Sequence, residues 1–248
     1  MSIQISSVWT REPRQPKNSG LRREQIVTGA VEILDAEGLE ALTMRKLGAK
    51  LGAGATSVYW YVANKDELLE LALDEFWGML HLRELGQTSW REVLTTYAYE
   101  LRALMRAHPW APTLIGRAPS IGPNSLRLND GLRRACVAAG FDGIDIYLAT
   151  GTVVCFVLGQ VLPETAWDNM SHGEEIDTES LGRLVDVVAA DYPDLREDYH
   201  VSAQTDSNTA RAMAFDFGLL CVMDGLEARL RAAAGPLMQP GSATRSHQ

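Results

Sequence analysis

Three consecutive aromatic residues, Tyr59, Trp60 and Tyr61, lie in the segment TSVYWYV at residues 56–62. Neighbouring side chains on a helix are about 100° apart, so three in a row cover about 200° of its circumference. The apolar stripe that a surface helix buries is narrower than this. At least one ring is therefore expected to face outward, where it can contact another molecule. The alternative is that all three rings pack internally, and Tyr59 is the ring most expected to be partly packed.

The sequence up to and including this run predicts two short helices joined by a tight turn. Met44, Leu47 and Leu51 place an apolar stripe on the first helix, and Gly52 ends it. The second helix covers roughly residues 55–61. Two short helices joined in this way form a helix-turn-helix, whose second helix enters the major groove of DNA while the first crosses the backbone.

The outward side of this unit carries groups that suit DNA. Val58 and Val62 lie one helical turn apart and are expected to pack inward, which leaves hydroxyl and aromatic groups outside. Such groups suit phosphate oxygens, base edges and thymine methyl groups, and the guanidinium of Arg45 suits guanine. Lys65 begins the next predicted helix, where its ammonium and the free backbone N–H groups can hold a phosphate. The predicted DNA contacts are Arg45, Thr56, Ser57, Tyr59, Trp60, Tyr61 and Lys65.

The remaining sequence predicts further helices and no strand. Apolar residues recur at helical spacing, and prolines such as Pro109 and Pro163 separate the periodic segments. Residues 163–178 are polar and acidic and predict a mobile loop. The predicted helices cover roughly residues 22–37, 44–51, 55–61, 64–81, 89–107, 111–118, 124–139, 143–162, 178–190 and 208–232.

Charge is distributed unevenly along the chain. The net charge of −9 argues against a protein that coats nucleic acid without specificity. Residues 1–65 carry nine basic and six acidic side chains, so the first part of the chain is mildly basic and the rest is acidic. This asymmetry is compatible with binding of a polyanion by the N-terminal part alone.

Several classes of function are disfavoured by the motifs that the sequence lacks. It contains no G-x-S-x-G, no H-E-x-x-H and no glycine-rich phosphate loop, so no enzyme, cofactor or metal site is predicted. His172, Glu174 and Glu175 lie in a polar segment and are interpreted as solvated surface rather than as metal ligands.

The uncharged span of residues 146–163 favours a buried helix over a membrane span. Three cysteines without C-x-x-C spacing favour reduced thiols in a cytoplasmic protein.

The motifs also resemble a known family. Residues 22–80, with EGLEALTMRKLGAKLG, TSVYWYV and NKDELL, closely resemble the DNA-binding domain of TetR-family repressors. TSWREVL, AAGFDGIDIYLATGTVVCFVLGQVL and FGLLCVMDGLEARL resemble the ligand-binding body of that family. The resemblance implies a homodimer in which a small molecule, bound in an all-helical body, changes the separation of two DNA-binding heads. The expected fold is all-α, with an N-terminal three-helix helix-turn-helix domain and a larger helical domain for ligand binding and dimerisation.

The chain is expected to divide into a flexible basic arm (1–20), a DNA-binding domain (21–66), a ligand-binding and dimerisation domain (67–235) and a disordered tail (236–248). Dimerisation also has a physical argument of its own. The helices near 143–162 and 208–232 are apolar and contain small residues, so two from each subunit can form a four-helix interface. The alternative is that they form only the core of the body.

The resemblance places an effector site between the predicted helices at 89–107, 111–118 and 143–162. Residues 111–119 contain no histidine, although the family's metal-dependent drug site has one in this region, so a magnesium-bound drug is not expected. The candidate lining is aromatic and apolar, which suits a flat hydrophobic molecule such as an antibiotic, and core packing explains each residue equally well. A DNA-binding regulator without a small-molecule effector is the alternative function. The candidate lining residues are His81, Tyr97, Leu101, Met105, Trp110, Thr113, Phe156 and Trp167.

The basic residues of the N-terminal arm give one further hypothesis. Arg11, Arg14 and Lys17 lie around two prolines on the lead into the first helix. Such an arm can enter the minor groove beside a major-groove site, as the alternative to a disordered, solvated tail. If the arm contacts phosphates, removal of residues 1–19 weakens operator binding and makes it less dependent on salt.

Overall fold

A computed structural model of the chain describes residues 7–10, 21–82, 88–171 and 177–233. Every regular element in these residues is an α-helix, which confirms the predicted all-α fold. The helices are α1 (Arg23–Ala41), α2 (Met44–Lys50), α3 (Ala55–Tyr59), α4 (Lys65–Gly78), α5 (Trp90–Ala107), α6 (Ala111–Leu114), α7 (Pro123–Ala139), α8 (Asp145–Ser171), α9 (Thr178–Val188), α10 (Pro193–Ser202) and α11 (Ser207–Ala233).

Local sequence signals set the bounds of the first helices. Thr43 and Asn64 are N-caps, because their side chains accept hydrogen bonds from the backbone N–H groups of Lys46 and Glu67. Gly38 has a φ of 78° and interrupts α1 with non-helical backbone, so the predicted helix end is present as a kink. These signals fold α1, α2 and α3 into a small N-terminal unit, which we call the head.

The fourth helix connects the head to the remaining helices, which we call the body. α4 packs against α1 on the head side and against α6 and α7 on the body side. Leu68, Ala72 and Phe76 are fully buried along it at intervals of four residues. Because the head and the body share α4, a movement of this helix relative to the body also moves the head.

The body is a helical bundle arranged around α8. This helix packs against α5, α6, α7 and α11. Val153, Val157 and Val161 recur every four residues and are fully buried, which fixes the face of α8 that points inward. Gly218 of α11 has no room for a side chain, because a Cβ atom there would lie 2.5 Å from the ring of Phe156. The two long helices are therefore in close contact.

The prediction of a loop at residues 163–178 is wrong for residues 163–171, which are helical. α8 continues through Pro163 to Ser171. The continuation places Glu164 in a buried ion pair with Arg102 of α5, whose Nη2 lies 2.7 Å from Glu164 Oε1. This ion pair between distant residues therefore stabilises α8 beyond Pro163, although a proline inside a helix usually ends it.

Two other helices of the body differ from the sequence prediction. α6 ends at Leu114, four residues early, because Gly116 adopts a φ of 87° that does not continue a helix. α10 occupies residues for which no helix was predicted; Pro193 at its first position supplies a start signal.

The prediction of a flexible arm at residues 1–20 does not hold for residues 7–10. Instead of belonging to a flexible arm, they form a turn in which Ser7 and Val8 are buried. The predicted arm residues Arg11, Arg14 and Lys17 lie outside the described residues, as do His172, Glu174, Glu175 and the tail at 236–248.

Loss of one partner from the buried ion pair is expected to destabilise the body. Replacing Arg102 by Ala leaves the buried carboxylate of Glu164 with only the more distant Arg106, whose Nε lies 3.8 Å from Oε2, so the loss is expected to be at most about 3–5 kcal/mol. The double variant Arg102→Met, Glu164→Leu removes both charges and should lose much less. Urea unfolding at one fixed protein concentration measures both effects. Equal losses in the single and double variants would contradict this account.

Candidate nucleic-acid interface and effector site

The helix-turn-helix is held together by close backbone contact at its turn. A Cβ atom on Gly48 would lie 3.0 Å from backbone atoms of Ala53, Gly54 and Ala55, so glycine is needed where α2 meets the start of α3. The amide of Ala53 donates to the carbonyl of Gly48 over 2.8 Å, and Gly52 has a φ of 64°. The geometry between the two helices is therefore set by the backbone itself.

The inward and outward faces of α3 agree with the sequence prediction. Val58 and Val62 are fully buried, and Thr56 is exposed. Ser57 and Trp60 are half-buried at the edge of the same surface. α3 therefore presents hydroxyl and aromatic groups to the outside, supported by an apolar face that packs against the head.

The predicted order of burial among the tyrosines is wrong. Tyr59, the ring most expected to be packed, has 46% of its surface exposed. Tyr61 is half-buried, and its hydroxyl donates a hydrogen bond to the carbonyl of Leu21 just before α1. Tyr61 therefore fixes the end of the α3 segment to the start of α1, while Tyr59 is the more accessible of the two rings.

The basic residues of α2 differ in whether they form ion pairs within the described part of the chain. Lys46 and Lys50 of α2 form ion pairs with Glu37 and Glu32 of α1, which hold the two helices together. Arg45 is exposed and forms no ion pair within the part of the chain that the structure describes. Its guanidinium is the group of α2 that is available to an outside partner.

Lys65 has an internal partner as well as its predicted DNA contact. Its Nζ donates to the carbonyl of Leu39 over 2.8 Å, which ties the start of α4 to the end of α1. The ammonium is half-buried and has two further N–H donors. The contact with Leu39 therefore leaves donors for a phosphate.

Two groups of polar contacts fix the head and the connecting helix α4 to the body. Trp110 Nε1 donates to Asp35 Oδ1 of α1 over 2.6 Å, and Nδ1 of His108 lies 2.7 Å from the same oxygen. Asp74 of α4 accepts hydrogen bonds from the backbone N–H groups of Asn124 and Ser125, at the N-terminus of α7. A carboxylate suits that position because it satisfies free N–H groups and the helix dipole.

Sequence reasoning missed these linking carboxylates. The available signal was the spacing of Glu67, Glu70 and Asp74, which lie on one face of α4 at i, i+3 and i+7. All three are nearly buried, with 5–7% of their surface exposed. Acidic residues that recur at this spacing among apolar ones therefore indicated bonds to groups outside the helix, but the sequence did not identify their partners.

Four of the eight predicted effector residues are buried in the hydrophobic core. Tyr97, Leu101, Met105 and Trp110 have at most 3% of their surface exposed, and burial raises the pKa of Tyr97 above its ordinary value. Phe156 is half-buried against the hydrophobic core, and its ring centroid lies 5.3 Å from that of Phe215. The other three, His81, Thr113 and Trp167, are exposed.

Two cavities lie where the head meets the body. One, of about 440 Å³, is bordered by Trp110 and Thr113 of the predicted lining and by Asp35 of α1. The other, of about 480 Å³, is bordered by Lys65 of α4 and Arg117 after α6, among others. Among the described residues no cluster of three or more His, Cys, Asp or Glu side chains is placed to hold a metal ion.

The fold and the head together define a class of protein. A three-helix head with an outward-facing α3 and a larger helical body joined through α4 is the architecture of a helix-turn-helix regulator with a separate regulatory domain.

Comparisons with known proteins identify the family. Residues 26–72 match bacterial regulatory proteins of the tetR family, and residues 83–230 match the tetracyclin repressor-like C-terminal domain. An HTH-type transcriptional regulator of Saccharopolyspora erythraea is 39% identical over 191 residues, which cover 76% of this chain and 80% of that protein. The tetracycline repressor protein class E of Escherichia coli is 29% identical over 213 residues, 85% of this chain and 92% of that protein. The crystal structure of the Streptomyces coelicolor TetR family protein ActR in complex with actinorhodin has a TM-score of 0.73 and 25% identity, over 86% of this chain and 99% of that one.

The chain therefore belongs to the TetR family. It is a helix-turn-helix transcriptional repressor of that family and not an enzyme, which confirms the sequence prediction at this level.

Replacing Gly48 by Ala is expected to damage the head selectively. The added Cβ meets backbone rather than flexible side-chain atoms, so the turn must open, at a cost of about 1–3 kcal/mol. Gly54→Ala is the matched control, because nothing lies within 4 Å of a Cβ there and its φ is −77°. Thermal unfolding and DNA binding measure the two effects. If both variants behaved alike, close backbone contact would not be what shapes the turn.

Proposed function

We propose that the protein is a ligand-responsive transcriptional repressor that binds a palindromic operator as a homodimer in the cytoplasm. A small, flat, hydrophobic molecule such as an antibiotic releases it. The observation that carries the proposal is the outward face of α3, where Thr56 and Tyr59 are exposed above buried Val58 and Val62. That arrangement suits insertion into a major groove.

The proposed DNA contacts have separate roles. Arg45, exposed on α2, reads a guanine through its two guanidinium arms, and Lys65 holds a phosphate at the start of α4. The other contacts lie in the α3 segment and meet base edges or the sugar-phosphate backbone; they are Thr56, Ser57, Tyr59, Trp60 and Tyr61. With two-fold symmetry, the half-site centres lie about one and a half helical turns or more apart, an extension of the one-turn spacing of simpler dimers.

The proposed dimer interface is formed by α8 and α11. α8 is long and apolar enough to cross a membrane by length and composition, but only 22% of that window is buried within one chain. Its outward face exposes Tyr147 and Leu148, and the outward face of α11 exposes Phe217 and Leu220. Large exposed apolar faces mark an interface. Pairing of α8 and α11 with a second copy covers them without a membrane.

The proposed effector site lies between α5, α6 and α8. The names of two relatives support a small aromatic effector, since one is a tetracycline repressor and the other was crystallised with actinorhodin. The close packing of Tyr97, Leu101 and Met105 favours the second candidate function, a DNA-binding regulator without an effector. An effector at this site has to displace part of that packing.

The DNA-binding proposal predicts loss of sequence preference in a double variant. Arg45→Ala, Trp60→Ala removes the guanidinium and a large aromatic ring, each contact being worth about 1–3 kcal/mol. Fluorescence anisotropy with DNA from upstream of the gene and its neighbours measures the affinity. Lys50→Ala is the control, since it removes a charge from α2 outside the proposed contacts and loses only an exposed ion pair with Glu32, which contributes about 0–1 kcal/mol. Equal binding by the wild type and the double variant would show that α3 is not the reading helix.

The effector proposal predicts stabilisation by a bound compound. At a hundredfold excess over Kd, an effector stabilises the folded protein by about 2.7 kcal/mol, which raises Tm by roughly 5–10 °C. Thermal shift with flat aromatic compounds, including tetracycline and actinorhodin, tests this. The shift should shrink in Tyr97→Phe, which keeps the packing and removes a buried hydroxyl. An undiminished shift would place the compound elsewhere, and no shift from any compound would support the regulator without an effector.

A further inference from the structure

Residues 7–10 form a turn, which we call the N-terminal strap, that is bound to α4. Ser7 Oγ donates to Glu70 Oε2 over 2.7 Å, and the backbone N–H of Val8 donates to the same oxygen over 3.1 Å. The turn is closed by a hydrogen bond from the amide of Thr10 to the carbonyl of Ser7. Val8 has only 7% of its surface exposed. The strap is therefore anchored by both polar and apolar contacts.

The next residue of the strap joins two helices. The indole ring of Trp9 lies over the guanidinium of Arg23, 4.9 Å from the ring centroid to Cζ, at the start of α1. The same ring also reaches the start of α7, because a Cβ atom on Gly122 would lie 2.7 Å from it. Trp9 therefore contacts the first helix of the head and the entry to a body helix at the same time.

The anchor of the strap lies between the two other carboxylate bonds of α4. Glu67 accepts from the amide of Ala63 over 2.7 Å, on the head side. Asp74 accepts from the amide of Ser125 over 3.0 Å, on the body side. Glu70 is between them on the same helical face, so the strap crosses α4 where the head joins the body.

We propose that the N-terminal strap positions the DNA-binding head. It fastens α1 and α4 to the start of α7 and so limits the orientations that the head adopts relative to the body. Ser7 and Trp9 are the positioning residues, and they act through α1 and α4 without touching DNA. This inference rests on the proposed binding of one operator by two heads.

The direction of the effect follows from preorganisation. Two heads bind one operator only at one separation and orientation, so the observed affinity scales with the fraction of molecules already in that arrangement. A strap that holds each head in the operator-competent orientation raises this fraction. Its loss is expected to weaken specific binding by roughly 5- to 20-fold, with the same phosphates contacted.

The salt dependence separates the strap from the predicted minor-groove arm. Trp9→Ala removes the ring that joins α1 to α7 and keeps Arg11, Arg14 and Lys17. It should weaken operator binding without changing the slope of log affinity against log salt concentration. The complementary variant Arg11→Ala, Arg14→Ala, Lys17→Ala keeps the strap and flattens that slope if the arm contacts phosphates.

The experiment is an anisotropy titration of the full-length protein with operator and with unrelated DNA at several salt concentrations. Trp9→Phe keeps a ring in the same place and should restore most of the affinity, whereas Ser7→Ala should lose part of it. Tyr192→Ala, an exposed aromatic before α10, is the control for loss of a ring. Circular dichroism and light scattering establish that each variant is folded and has the oligomeric state of the wild type.

The outcomes are distinct. Weaker operator binding by folded Trp9→Ala, with an unchanged salt slope, unchanged binding to unrelated DNA and rescue by Trp9→Phe, supports the strap. Unchanged or tighter operator binding by Trp9→Ala, or a loss that Trp9→Phe does not restore, overturns it. Failure of the wild type to bind any operator would instead overturn the proposed function on which the strap depends.

Discussion

Buried carboxylates must be hydrogen-bonded, and this requirement fixes the helix that joins the two parts of the protein. Glu67, Glu70 and Asp74 lie on one face of α4 with 5–7% of their surface exposed. Each accepts a backbone N–H from a different segment: the turn before α4, the N-terminal strap and the start of α7. Leaving one such group unpaired costs about 1–3 kcal/mol or more. Rotation or sliding of α4 would break several bonds together, so the helix favours discrete positions.

The DNA-reading surface depends on this arrangement because the head is small. Its three helices are shaped by backbone contact at Gly48 and by the hydroxyl of Tyr61, which ties the α3 segment to the chain before α1. Asp35 of α1 adds a second link to the body through Trp110 and His108. A small molecule bound near the junction of head and body can therefore reorient the head by changing these bonds. In the proposed function, this reorientation is how the effector releases the protein from DNA.

What could be predicted from the sequence was local, and what could not depended on distant partners. The apolar stripe of α2 at Met44 and Leu47 and the inward position of Val58 follow from residues within two helical turns, and both were predicted. The sequence did not predict that α8 continues through Pro163, because the ion pair between Glu164 and Arg102 joins residues that are far apart in the chain. The burial of Tyr61 rather than its neighbour depends on a carbonyl 40 residues away. The effector lining and the DNA contacts remain predictions, because their partners are other molecules.

The central claim is that the body holds two heads at the separation that one operator requires. Pulsed electron spin resonance measures it in a dimer labelled at Ala36→Cys, on the exposed side of α1, with Cys155→Ser and Cys221→Ser removing the two native thiols that are exposed in a single chain. Without DNA, we predict a single narrow distribution of the distance between the two labels. Its centre should not shift when operator DNA is added. A broad distribution that narrows only on operator binding would contradict it, because the DNA and not the protein would then set the separation of the heads.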